Sequence, residues 1–131
     1  MAVLESLKAI GDAGTERVGS KARSLAQLAE QGFRVPVAIC ISTEVYETYM
    51  AATSLRDRVL FELGRKPFEE MRWEEIWDAA LRIRNLFLCT PLPAAMHEEL
   101  SGVMARVFGE RPAVVRSSAP GEDSGEASFA G

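Results

Sequence analysis

Only two stretches of this chain carry a strand pattern, and the helical periodicity between them limits what it can fold into. Residues 35–41 are an apolar, β-rich run with Pro36 near its start. Near-continuous hydrophobicity predicts a strand covered on both faces. Residues 113–117 form the second run, which delivers Arg116 at its edge. Two strands make a poor sheet, so further strands are expected near the N-terminus or in sequence beyond this chain. The expected class is α/β (mixed α+β), helix-rich, with a small sheet.

Local punctuation sets the helices. Gly11 and Gly14 are expected to break any helix in residues 1–18, an opening segment. From Lys21 the spacing of Ala22, Leu25, Leu28 and Ala29 predicts a helix, with Gly32 in the left-handed position past its end. Ser42 or Thr43 can cap a helix striped by Val45, Tyr46, Tyr49 and Met50. Residues 54–63 read as a short helix ended by Gly64. Trp73, Ile76, Trp77, Ala80, Leu81, Arg84 and Leu88 keep helical spacing, and the two tryptophans read as core packing. A break at residues 90–93 precedes the last helix, striped by Met96, Leu100, Val103 and Val107 and ended by Gly109.

Composition narrows the partners. The chain has 131 residues, 47% hydrophobic and 26% charged, within the range of one globular domain. Its net charge of −4 gives no argument for nucleic acid or an anionic membrane surface. No apolar run approaches the roughly 20 residues needed to span a bilayer, and the N-terminus lacks a signal-peptide pattern. Cys40 and Cys89 have no metal-ligand spacing and fit buried thiols in a reducing cytosol. A cytoplasmic protein is the expectation.

Three constellations could carry chemistry, each with a plain structural alternative. Gly19-Ser-Lys-Ala-Arg-Ser-Leu25 places a glycine, a serine and Lys21 at a helix start, where backbone N–H groups lack partners. Taken alone it reads rather as a surface lysine in an ordinary first turn, since the generic phosphate-loop signature is absent. Arg116, behind an apolar strand, can hold a phosphate bidentately or pair with Glu122, Asp123 or Glu126. The small residues from Gly121 to Gly131 suit a flexible lid with Ser128 as a donor, or a solvated loop. Lys21, Arg23 and Arg116 are the candidate cations. His97 reads as a surface or boundary residue, and neither a catalytic group nor a metal cluster is visible.

Taken in order, these segments resemble the N-terminal nucleotide-binding domain of the phosphoenolpyruvate synthase and pyruvate phosphate dikinase family. The matching residues are Gly19 to Leu25, Gly32-Phe-Arg-Val-Pro36 with its apolar run, Thr43-Glu-Val-Tyr46, Val115 to Ala119, Glu122-Asp123 and Ala127 to Gly131. Ser20 stands where the family has its second glycine. Ala119-Pro-Gly-Glu-Asp-Ser-Gly125 departs from the family's Ala-Thr-Ala-Glu-Asp-Leu-Pro.

The resemblance implies the first portion of an ATP-grasp fold, with residues 1–131 as a single, truncated domain. It implies that Lys21 and Arg116 contact ATP phosphates and that Ser128 and Gly131 open a phosphate-covering loop. It further implies Mg²⁺ with its ligands outside this chain, and a phosphohistidine domain in the rest of the parent chain. The implied activity passes phosphate from ATP through that histidine to an acceptor, pyruvate foremost, with glucan or a rifamycin as the acceptors of relatives. These residues alone would not turn over. A stand-alone module that binds an anion or a protein is the alternative.

Overall fold

The computed structural model describes residues 3–121 and the backbone of residues 123–124 and 127–128. The elements run β1 (Val3–Leu4), α1 (Leu7–Asp12), α2 (Thr15–Glu30), β2 (Cys40–Ile41), α3 (Thr43–Ala52), α4 (Leu55–Leu63), α5 (Trp73–Leu88), α6 (Ala94–Phe108), β3 (Asp123–Ser124) and β4 (Ala127–Ser128). A single 3-10 turn, Phe68–Glu70, precedes α5. The strands form two separate antiparallel pairs. β1 lies on β2 with Val3 opposite Ile41, and β3 lies on β4 with Asp123 opposite Ser128. The chain is helix-rich with very little sheet, as its pattern predicts. No described helix is long and apolar enough to cross a membrane.

The chain divides into two compact units. One comprises the residues up to Tyr46 and those from Met96 onward; the other is Glu47–Ala95. In the first, Ser6 caps α1, its hydroxyl accepting the Ala9 N–H at 3.1 Å. Gly11 does not break this helix, contrary to its expected role. A glycine inside a helix costs about 1 kcal/mol, and here the packing on α2 would still admit a methyl group if the movable Glu30 carboxylate, 2.7 Å from a Cβ, shifted. A Cβ at Gly11 would stand 3.5 Å from the Ala26 methyl. The closed α1–α2 pair buries Ile10, Ala13, Val18 and Ala26 with Cys40, and Leu4, Leu7 and Ala22 pack on their edge. Each large aliphatic side chain so buried contributes about 1.5–3 kcal/mol.

The end of α2 follows the sequence. Gly32 takes a φ of +85°, its N–H bonds the Ala29 carbonyl and the Phe33 N–H bonds the Leu28 carbonyl. These are the paired bonds of a Schellman ending. The start of α3 is held differently from the expectation. Ser42 is buried with its hydroxyl unpartnered among the described residues, while the Thr43 hydroxyl donates to the Glu16 carbonyl at 3.1 Å.

Neither expected strand survives at full length. Of residues 35–41 only Cys40–Ile41 pair, and Val37 and Ile41 are exposed. Residues 112–119 contain no strand, and Val114 and Val115 are 86% and 92% exposed. An apolar run becomes a strand only when a second backbone completes its hydrogen bonds. Among the described residues β1 does so for Cys40–Ile41 alone, and no backbone does so for residues 112–119.

In the second unit α4 packs along α5, burying Leu55 and Ala79. The Tyr49 hydroxyl donates to the Thr90 carbonyl at 2.8 Å, closing the break after α5. Cys89 is exposed, so only Cys40 fits the expectation of a buried thiol, and burial raises the Cys40 pKa. Glu75 fastens the start of α5. Its carboxylate accepts the Arg72 N–H at 2.8 Å and the Lys66 ammonium at 2.9 Å.

The Arg72 hydrogen bond, then Lys66, lowers the Glu75 pKa from 4.5 to about 2. A depressed carboxylate stabilises the fold fully above its unfolded pKa, and that contribution fades as pH falls through the folded value. The stability difference between the wild type and Glu75→Gln should therefore be constant above pH 4.5 and vanish toward pH 2. Urea unfolding followed across that range measures it. A difference that does not change with pH would remove this role from Glu75.

Candidate functional site

Gly19 decides the geometry of the candidate site. It interrupts α2 with φ +76° and ψ 167°, a backbone conformation essentially confined to glycine. The helix therefore restarts after it, and Ser20, Lys21 and Ala22 become a new first turn whose N–H groups have no partner in the helix. Gly19 has no side chain with which to cap that turn.

Ser118 supplies the missing cap from far along the chain. Its hydroxyl oxygen accepts the Ala22 N–H at 3.0 Å, the bond an N-cap serine normally makes to the third helical residue. The same hydroxyl donates to the Val18 carbonyl at 2.7 Å, satisfying the group left open on the other side of the kink. Val18 is itself fully buried, and its carbonyl also faces the Cys40 thiol at 3.7 Å. Ser118 is thus tied to the turn that carries Lys21, and Arg116 lies two residues before it in a segment that is not a strand.

The candidate residues take different positions. Lys21 is half-buried in the restarted turn, and Arg116 is exposed two residues before the capping serine. The Arg23 guanidinium donates to the Ala13 carbonyl at 2.7 Å, at the C-terminal end of α1 where a helix favours a cation. The Ser20 hydroxyl is buried without a partner among the described residues. Ser128 is described only as backbone of β4, opposite Asp123, and Gly131 lies outside the described residues, as do Glu122 and Glu126. His97 is exposed on α6.

Sequence reasoning missed the cap. Ser118 was one of several hydroxyls, and its partner is 96 residues away. The available signal was negative: a helix restart at Gly19 with no side chain to close it.

The start of the next helix is anchored to the same region. Arg17 pairs with Glu44 at 2.9 Å, beside the bond from Thr43 to Glu16. Both partners are substantially exposed, so the ion pair is worth at most about 1 kcal/mol.

Among curated proteins, the chain is 37% identical over 127 residues to a rifampicin phosphotransferase of Streptomyces sp, a match covering 95% of this chain and 14% of that protein. It is 33% identical over 125 residues to a phosphoenolpyruvate synthase of Neisseria meningitidis serogroup B, covering 88% and 16%. A phosphoenolpyruvate synthase of Aeropyrum pernix is 33% identical over 119 residues, covering 87% and 14%. The chain thus spans only 14–16% of the length of these relatives. No solved structure matches it. Residues 15–131, which contain the Gly19 kink, Lys21 and the Ser118 cap, match the family described as pyruvate phosphate dikinase, AMP/ATP-binding domain. The chain belongs to that family.

Proposed function

We propose that this chain is the N-terminal part of an ATP-grasp nucleotide-binding domain, and that it holds the phosphates of ATP. The observation that supports the reading is the Ser118 cap, which fastens Ser118, two residues after Arg116, to the turn bearing Lys21. On this reading the ammonium of Lys21 and the guanidinium of Arg116 take the phosphate charge, and Arg116 binds bidentately. The N-terminal end of the restarted helix adds partial positive charge on the same side. Ser128 and Gly131 would belong to a loop that covers the phosphates.

The donor set fits an anion and not a metal. Lys21, Arg116 and N–H groups offer no ligand to Mg²⁺ and no carboxylate stands among them, so the magnesium expected with ATP would be held by carboxylates elsewhere in a longer chain. Bound there, the ion supplies neutralisation of phosphate charge. The residues on this chain bind and orient, which is most of the protein's work in phosphoryl transfer.

The activity we propose for the parent protein is phosphotransfer from ATP through a histidine on a separate domain to an acceptor, in the cytoplasm. His97 has no part in it. The relatives' names include both phosphoenolpyruvate synthases and rifampicin phosphotransferases. A domain common to both would serve the ATP side of the reaction, with the acceptor, pyruvate or rifampicin, chosen by the rest of the chain.

In the full-length protein, Lys21→Ala and Arg116→Ala should each slow ATP-dependent phosphorylation by about 100-fold, the usual loss when one charge-stabilising donor is removed. Product analysis with pyruvate and with rifampicin identifies the acceptor. A normal rate in either single variant would withdraw that residue from the site.

A further inference from the structure

Exposure contradicts the sequence at two places. Trp73 and Trp77, expected in the core, are 72% and 64% exposed, because the face of α5 that packs on α4 carries Ala79. The second place bears on the phosphate site. From Gly109 to Gly121 every residue except Ser118 is exposed. Val114 and Val115 are the large apolar side chains of that stretch, and neither is buried against the unit. The chain carrying Arg116 sinks below the surface at Ser118.

Ser118 can lie so close because Gly19 has no side chain. A Cβ at Gly19 would overlap the Ser118 carbonyl group. Backbone therefore rests on backbone, and the hydroxyl bonds both sides of the kink, accepting the Ala22 N–H at 3.0 Å and donating to the Val18 carbonyl at 2.7 Å. One hydroxyl used as donor and acceptor fixes direction as well as distance. Two bonds and one close contact leave Ser118 little room to slide along α2.

The docking constrains Arg116 through chain length. Ala22 follows Lys21 directly, and Arg116 stands two residues before Ser118. Two residues of chain span at most about 7 Å. On its other side, the nearest residue that is not exposed is Phe108 at the end of α6. That length of chain could reach about 28 Å. Two cations that share one phosphate chain need a set spacing, and a misplacement of about 1 Å can cost about 100-fold in rate.

We propose that Ser118 is a positioning residue for the nucleotide. Its docking against Gly19 sets the spacing between Arg116 and the Lys21 turn, and ATP binding in turn strengthens the docking. This role rests on the phosphate-binding reading of Lys21 and Arg116. Linkage makes the two effects reciprocal: if docking raises the affinity for ATP by some factor, ATP raises the docking equilibrium by the same factor.

A double-mutant cycle on the full-length protein tests it, read as the equilibrium affinity for a non-hydrolysable ATP analogue with Mg²⁺. Ser118→Ala should weaken binding about 10-fold in the wild-type background. In an Arg116→Ala background it should cost about 2-fold or less, because no guanidinium is left to place. A residue that only stabilised the fold would lose the same factor in both. Hydrogen exchange gives the reciprocal readout on the unsubstituted protein. Saturation with the analogue should slow exchange of the Ala22 amide about 10-fold more than that of amides in the middle of α2. That arm needs no variant, so it decides the matter even where Ser118→Ala does not fold.

Equal losses in the two backgrounds, or an Ala22 amide whose protection the analogue does not change, overturn the positioning role and leave the phosphate site in place. Wild-type affinity in both Lys21→Ala and Arg116→Ala withdraws the phosphate site itself, and the role of Ser118 with it.

Discussion

Gly19→Ala should destabilise the unit that contains it by about 3 kcal/mol or more, measured as a fall in the urea midpoint at unchanged m-value. Two effects add. The backbone at φ +76° and ψ 167° is strained by about 1–3 kcal/mol for any residue with a side chain. The added Cβ would also overlap the Ser118 carbonyl group and stand 2.6 Å from its hydroxyl oxygen. Backbone cannot swing aside as a flexible side chain can, so the Ser118 segment must lift from α2 or the kink must straighten. Either change loses both bonds of the cap.

Gly32→Ala is the internal comparison. Gly32 also has positive φ, +85°, but nothing lies within 4 Å of a Cβ built there. It should cost only the left-handed strain, about 1–2 kcal/mol. If the two variants proved equally stable, the close approach at Gly19 would not be a determinant of the fold.

Ser118→Ala should cost about 2 kcal/mol. It removes one hydroxyl, leaving the Ala22 N–H without that acceptor and the Val18 carbonyl with only the weak donor of the Cys40 thiol. Loss of a helix cap alone costs about 0.5–2 kcal/mol, and an unsatisfied buried polar group about 1–3 kcal/mol. The Val18 carbonyl belongs to a fully buried residue, so water cannot easily take the hydroxyl's place. Hydrogen exchange gives the local readout, because the Ala22 amide should lose protection more than the amides in the middle of α2. An Ala22 amide equally protected in both proteins would show that the turn does not depend on this cap.

The helices were legible because their signals are local. α4, α5 and α6 begin and end within a residue or two of their expected places, marked by Gly64, by the break at residues 90–93 and by Gly109. Periodicity also grouped Trp73, Trp77, Leu81 and Leu88 on one face of α5. It could not say which face the unit covers, because that depends on where α4 lies.

Strands failed for a related reason. The run at residues 113–117 has the composition of a strand, but pairing needs a second backbone that a local pattern does not contain. At the candidate site Lys21 and Arg116 were legible as residue types at a helix start and after an apolar run. The Gly19–Ser118 contact that links their segments was not, since no local feature of either residue points to the other.

The Ser118 cap also bears on the order in which the molecule can be completed. Nearly all of α2 is synthesised before the residue that closes its second start. While residues 23–117 emerge, the Ala22 N–H and the Val18 carbonyl have no hydroxyl between them, and the turn holding Lys21 lacks its cap. Closing a loop of this length is entropically slow to repay. The capped turn is thus a feature that an early-made helix can acquire only from late-made chain.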